Sequence, residues 1–161
     1  MKAAAMPYFI ARVVPIAVFS ILLSNAAPLF SGQSDSSSDL GKIKRKAASQ
    51  HEYIMLLIGK KEYVQAEKEA CKIFQMKWPA GQESLLLTEL LILSDQFRSH
   101  GQPTIGLHLI DHNEQSFKQI ASQIAILKEK ALLYKSLNQD DKALEYFHKA
   151  EELEDKSENK K

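Results

Sequence analysis

Apolar side chains recur at every third or fourth position from Gly41 toward the C-terminal end of the sequence. This period places them on one face of a helix, whereas a half-buried strand would need strict alternation. Asn138-Gln139-Asp140 interrupts the pattern, which then resumes, so two helices joined by a tight turn are expected there. The two stripes are Ile124, Leu127, Ala131, Tyr134 and Leu137, then Ala143, Phe147, Ala150 and Leu153. The pattern predicts an all-α body.

Composition limits the classes of protein to which the chain can belong. Its 161 residues, 45% of them hydrophobic, suffice for one compact domain. Lys and Arg number 21 against 20 Asp and Glu, so the basic excess typical of a nucleic-acid-binding protein is missing. The single cysteine, Cys71, excludes an intramolecular disulfide and a four-cysteine zinc site within one chain. We interpret Cys71 as a packed thiol.

The first segment has the features of an export signal. Residues 1–34 contain no acidic side chain, and the apolar run 13–23 has the length of a signal-peptide core. Ser24-Asn25-Ala26 supplies small residues where a signal peptidase cuts, and a cut one residue later would place Pro28 directly after the broken bond. We therefore predict a signal peptide over 1–26 and a protein of the secretory pathway, in a periplasmic or other extracytoplasmic compartment.

Two other interpretations of this segment stay open. The 22 uncharged residues 13–34 could form an uncleaved membrane anchor, although polar residues dilute their second half. A mitochondrial presequence is the third option, but such peptides are usually richer in Arg. A membrane is therefore a possible partner only through the N-terminal segment.

The remaining domain boundaries follow from composition. Residues 27–41 include the polar tract SGQSDSSSD, which predicts a flexible Ser-rich linker. We place the helical domain at 42–157 and a disordered tail at 158–161. Four cations, Lys42, Lys44, Arg45 and Lys46, open the helical domain, and a solvated helix face is the preferred interpretation over contact with anionic lipid.

The run ALLYKSLNQDDKALEYFHKAEEL resembles a unit of the tetratricopeptide repeat (TPR) family. The matching small and aromatic positions are Ala131, Tyr134, Ala143, Phe147 and Ala150. The run departs from the family at Lys130, where Leu is usual, and at Asp155, where a terminating Pro is common. The resemblance implies a hairpin of two helices that cross closely at small residues.

Two earlier stretches resemble the same unit more weakly. Gly106 and Ala66 occupy the small position of Ala143, and Gly101 and Pro103 suit a turn followed by a helix start. The small positions are 40 and 37 residues apart, longer than the family's 34. Because about three units are needed to bury a continuous core, the resemblance implies stacked antiparallel helical hairpins, a TPR-like α-solenoid of about three units.

The resemblance also implies a peptide-binding groove lined by the first helix of each hairpin. Its lining would be Thr88, Leu91, Asp95 and Arg98 from the second unit, and Ala125, Lys128, Leu132 and Lys135 from the third. Leu132 stands where family members that clamp a terminal carboxylate have Asn, so that specificity is disfavoured. The resemblance predicts a non-enzymatic adaptor, exported or membrane-held, that binds a protein or peptide and supports assembly of a complex.

The alternative function is metal handling or catalysis by a helical protein. His108 and His112 are four residues apart, so their imidazoles could reach one metal ion, with Asp111 nearby. The spacing fixes no third ligand, and the sequence HLIDH lacks the glutamate base of a His-Glu-x-x-His metalloprotease. Two exposed histidines are the preferred interpretation. We predict no catalytic residue, cofactor, metal, small-molecule substrate or nucleic-acid partner.

Overall fold

The computed structural model describes residues 34–159, and within that range regular structure is entirely helical. Its helices are α1 (Ser34–Gly59), α2 (Tyr63–Phe74), α3 (Glu83–Ser99), α4 (Pro103–Asn113), α5 (Ile120–Ser136) and α6 (Asp140–Glu158), with a 3-10 turn at Glu114–Ser116. The predicted all-α class is confirmed. The predicted signal peptide 1–26 lies outside the described residues, and no helix within them is both long and apolar enough to cross a membrane.

The helices associate as three consecutive pairs, α1 with α2, α3 with α4, and α5 with α6. Each pair is joined by three residues, 60–62, 100–102 and 137–139. The middle residue of each connection, Lys61, Gly101 or Asn138, has a positive φ of 64°, 74° or 56°. So short a reversal makes the helices of each pair antiparallel neighbours.

The three connections close with the same hydrogen bonds. The amide of the third connecting residue donates to a carbonyl five residues earlier, at 2.9 Å for Glu62 to Leu57, 2.8 Å for Gln102 to Phe97 and 3.0 Å for Gln139 to Tyr134. A second bond joins each positive-φ residue to the carbonyl three residues before it, at 2.9 to 3.0 Å. This is the Schellman motif, in which a left-handed residue satisfies the last carbonyls of a helix. The three pairs therefore share one turn structure.

A small residue follows each turn at the same distance. Ala66, Gly106 and Ala143 each lie five residues after the positive-φ residue, and all three are buried. At Gly106 even a Cβ atom would lie 2.8 Å from Leu133 Cδ2 and 3.2 Å from the Ser94 carbonyl oxygen. Neighbouring helices therefore approach too closely at Gly106 for any larger side chain.

Contacts between the pairs place α3–α4 in the middle of the described range. α4 contacts α2, α3 and α5, and α3 also contacts α5. Trp78, in the connection to α3, packs on the core and donates from Nε1 to the Ile73 carbonyl at 2.8 Å, as expected of a residue that closes the first pair. Phe117, in the connection to α5, is 2% exposed. Both long connections are therefore attached to the core.

The first helix begins earlier than the sequence predicts. α1 includes residues 34–41, which belong to the predicted flexible linker 27–41, while 27–33 lie outside the described residues. Extending an existing helix avoids the cost of nucleation, so the packed part of α1 can propagate into a Ser-rich tract. Asp39 and Lys42 pair at 3.3 Å across one turn of this extension. At the other end α6 continues to Glu158, one residue into the predicted tail.

Candidate functional site

The residues predicted to line a groove lie on two neighbouring helices. Thr88, Leu91, Asp95 and Arg98 follow one another at intervals of three and four along α3, as do Ala125, Lys128, Leu132 and Lys135 along α5. α3 and α5 are in contact, and Ser94, next to Asp95 of the first row, hydrogen-bonds Glu129, next to Lys128 of the second. We call these eight residues the α3–α5 face.

The α3–α5 face is open to solvent to different degrees on its two sides. On α5, Lys128 and Lys135 are exposed, and Leu132 is 37% exposed. On α3, Leu91, Asp95 and Arg98 are half-buried, because they stand closer to the neighbouring helix. The α3–α5 face therefore offers apolar surface beside charged groups.

A buried hydrogen bond joins the two helices beside this face. Ser94 Oγ of α3 donates to Glu129 Oε1 of α5 at 2.9 Å, and both side chains are buried. Burial raises the pKa of the Glu129 carboxyl, although the Ser94 hydrogen bond and the positive charge of Arg98 oppose the shift. The sequence pattern gave no signal for this pair, since a buried acid on a helix looks the same as an exposed one.

Arg98 is the most constrained cation of the face. One terminal nitrogen of its guanidinium forms an ion pair with Asp95, one turn earlier on α3. Its Nε is buried and has no hydrogen-bond acceptor among the described residues.

The two lysines of the α3–α5 face have different surroundings. Lys128 Nζ donates to Glu154 Oε1 of α6 at 2.8 Å, so it is not the free groove cation that the resemblance implies. No acid of residues 39–159 lies within salt-bridge distance of Lys135, which is exposed. Lys135 is therefore the more accessible positive charge of the α3–α5 face.

The two histidines of the alternative function lie exposed on α4, and the Nδ1 atom of each ring faces a protein oxygen. His112 donates from Nδ1 to the His108 backbone carbonyl at 2.7 Å, and His108 Nδ1 is 3.8 Å from Glu67 Oε1 of α2. Asp111 instead pairs with Lys130 at 2.7 Å. In the part of the chain that the structure describes, no three His, Cys, Asp or Glu side chains are grouped to hold a metal ion.

Lys130, a departure from the TPR pattern, is explained by its partners. Its side chain is 7% exposed, and its Nζ lies 2.7 Å from Asp111 Oδ1 and 2.6 Å from Glu114 Oε2. The ammonium also lies 5.6 Å from the centre of the Tyr146 ring, within range of a cation–π interaction. Burial favours the neutral amine, but hydrogen bonds to the two carboxylates outweigh it and raise the pKa of Lys130.

Neither Cys71 nor the depression at the α5–α6 turn contributes a reactive or binding group to the α3–α5 face. Burial, with the Glu67 charge, raises the pKa of the half-buried Cys71 thiol, which keeps it protonated and unreactive at neutral pH. A depression of about 400 Å³ at the α5–α6 turn is lined by five consecutive residues, 138–142, and gathers no side chain from another helix.

Comparison with known proteins gives no match: no family model, no curated protein and no solved structure is similar to the chain.

Proposed function

We propose that this protein is a non-enzymatic adaptor with a TPR-like solenoid of three helical pairs, which binds an acidic segment of another protein on the α3–α5 face. The observation that carries the proposal is the exposed end of the α5 row, where Leu132 and Lys135 lie beside the half-buried Leu91 and Arg98 of the contacting helix α3. Amphipathic or extended peptides bind such surfaces by placing apolar anchors between polar contacts. An adaptor of this kind supports assembly of a complex by holding two partners together.

The three equivalent turns support the TPR-like arrangement. The positive-φ residues Lys61, Gly101 and Asn138 are 40 and 37 residues apart, the same intervals that separate the small residues after them. A repeat of turn, small residue and helix pair is the organisation that lets neighbouring units bury a continuous core. The intervals exceed the family's 34, so the units are proposed as divergent members.

The charges of the α3–α5 face favour an acidic partner. Among residues 39–159 Lys135 has no acidic neighbour within salt-bridge distance, so it can gain a carboxylate without breaking an existing ion pair, and Arg98, already paired with Asp95, adds a second positive charge nearby. Leu132 supplies an apolar contact beside them. Hydrogen bonds between cations and carboxylates are about twice as strong as neutral ones, which makes these residues the proposed specificity determinants.

The proposed location is the secretory pathway, an extracytoplasmic compartment or a membrane surface. This part of the proposal depends on the signal-type sequence of residues 1–26, or on the uncharged stretch 13–34 as an anchor. The N-terminal residue of the protein purified from its natural host would distinguish cleavage after Ala26 from an intact anchor.

The test is a pull-down from native membranes with the full chain as bait. We expect Leu132→Asp with Lys135→Glu to abolish recovery of a reproducible partner, because the substitutions remove an apolar contact and reverse a charge. The matched control is Val64→Asp with Lys68→Glu on α2, two exposed positions that lie outside the α3–α5 face. Equal recovery with wild type and both variants would contradict the proposal, as would recovery of no partner.

A further inference from the structure

Two helices at opposite ends of the described range each present a row of largely exposed side chains. On α1 the row is Lys42, Lys46, Ser49, Tyr53 and Leu56, continued by Lys60 in the turn, and all six are exposed. The two large apolar members, Tyr53 and Leu56, are 46% and 66% exposed. We call these residues the α1 row.

The row on α6 has the opposite charge. It consists of Asp140, Leu144, Phe147, Glu151, Glu154 and Glu158. Leu144 and Phe147 are 61% and 38% exposed, and no Lys or Arg interrupts the row. We call these residues the α6 row.

The two rows have the same spacing. Successive members of both are separated by four, three, four, three and four positions, which keeps each row on one side of its helix. Because this series reads the same in both directions, two helices placed side by side and antiparallel bring the rows into register. Tyr53 then meets Phe147, and Leu56 meets Leu144.

The charged ends also match in this orientation. Lys42 meets Glu158, Lys46 meets Glu154, and Lys60 meets Asp140, so every cation of the α1 row faces an acid. Lys42 and Glu154 already have ion-pair partners within one copy, Asp39 and Lys128, with which the new contacts would be shared. A parallel alignment would place Lys46 on Leu144 and Tyr53 on Glu151, which leaves the apolar side chains unpaired. Of the two orientations, only the antiparallel one therefore pairs cations with acids and apolar side chains with each other.

We propose that the α1 row of one copy of this protein packs antiparallel on the α6 row of a second copy. Among the described residues both rows are largely exposed, and their complementary charges point to a second copy of this chain as the partner. The contact joins two different surfaces, which makes it heterologous, and it can propagate into a ring or a chain of copies. This inference does not depend on the peptide-binding role of the α3–α5 face.

The test uses two variants of the full chain that each lose one surface. Variant X carries Lys46→Glu and Leu56→Glu in the α1 row, and variant Y carries Leu144→Lys and Glu158→Lys in the α6 row. All four positions are exposed, so folding is preserved and is checked by urea unfolding. Masses are measured by light scattering in a nonionic detergent, which keeps the apolar run 13–23 dispersed.

We expect the mean mass of the wild-type protein to rise with concentration, whereas X alone and Y alone stay monomeric. An equimolar mixture of X and Y should form a species of two chains and nothing larger, because only the α6 row of X and the α1 row of Y are intact. Raising the salt concentration should weaken association of the wild type about tenfold, since the ion pairs are exposed.

The matched controls are Lys44→Glu on α1 and Glu152→Lys on α6, exposed residues that lie outside both rows. These variants should associate as the wild type does. The proposal is wrong if the wild type is monomeric throughout, if X or Y associates alone, if the mixture of X and Y stays monomeric, or if a control variant dissociates.

Discussion

The second helices of the middle and last pairs, α4 and α6, have similar roles in their hairpins but very different environments. Six of the eleven residues of α4 are buried, against two of the nineteen in α6. α4 is in contact with α2, α3 and α5, whereas the main contact of α6 is α5. Burial of a helix in this protein therefore depends on how many neighbours its pair has.

The repeat pattern alone would suggest that α6 is the more buried of these two helices, which is the reverse of what is observed. The last pair matches the TPR pattern best, yet its aromatic Phe147 is 38% exposed. In the middle pair Ile110 takes that aromatic position and is fully buried. A local pattern thus indicates which residues are suited to packing, while the presence of a neighbour determines whether they are buried.

The largest effect that would sharpen this comparison is expected at Gly106. Gly106→Leu should destabilise the protein by about 3 kcal/mol or more, because overpacking here meets the Ser94 backbone as well as Leu133. The urea midpoint measures the loss. Gly59→Leu is the control, since a Cβ at Gly59 has no neighbour within 4 Å. Similar urea midpoints for the two variants would show that α4 does not pack closely against α3 and α5 at Gly106.

Ala143→Leu should have a smaller effect, a loss of about 1 to 3 kcal/mol. Ala143 is 5% exposed against α5, but the outer side of α6 is free, so the helix can shift to relieve the overlap. Lys142→Leu, on the exposed side, should change stability by about 0.5 kcal/mol or less. If Ala143→Leu lowers the free energy of unfolding as much as Gly106→Leu does, α6 is packed as tightly as α4, and the proposed contrast between the two helices is wrong.

Glu129→Gln tests the buried contact between the middle and last pairs. The pKa of Glu129 is raised above its ordinary 4.5, so the folded protein favours the protonated acid, and this contribution to stability is lost as the pH rises through the raised pKa. The amide of Gln accepts the Ser94 hydrogen bond without a charge. We expect the variant to have the higher urea midpoint at pH 7 and the two midpoints to converge near pH 4. A lower midpoint for the variant at pH 7 would contradict this assignment.

The smallest expected effect concerns the contact between the first and middle pairs. His51 Nδ1 lies 2.7 Å from Glu89 Oε1, and this hydrogen bond is the main reason that the pKa of His51 is raised above 6.5. The added stability is present below pH 6.5 and is lost as the pH rises through the raised pKa. Urea midpoints should therefore fall from about pH 6 to pH 8 in the wild type, and His51→Gln should remove this component. If the urea midpoints of the wild type and of His51→Gln change with pH in parallel, the His51–Glu89 hydrogen bond contributes nothing to the pH dependence of stability.

The positions of helices and turns were largely predictable because they depend on nearby residues. The stripe broken at Asn138, Gly101 at a turn and Pro103 at a helix start all coincide with the observed turns and helix boundaries. The sequence pattern did not predict the helical conformation of residues 34–41. Their Ser-rich composition favours a linker, and the helix there is an extension of the packed part of α1.

The ion pairs between different helices could not be predicted from the sequence, unlike pairs one turn apart on the same helix such as Asp95–Arg98. Asp111 was considered as a ligand beside His108 and His112 of its own helix but pairs with Lys130 of α5, and Lys128 pairs with Glu154 of α6. Each pair joins residues at least 19 positions apart in sequence. Spacing along one helix contains no information about such contacts.

The sequence by itself determined that the described residues are helical, where each pair turns and which small residues permit close crossing, because these depend on periodicity, backbone freedom and side-chain size over a few positions. Only the tertiary structure decided which helix faces have neighbours. It buried Lys130 between two carboxylates, placed Ser94 against Glu129, and left the α1 and α6 rows exposed at the two ends. The physical reason is that burial and pairing depend on distances between helices, which the order of residues along one helix does not specify.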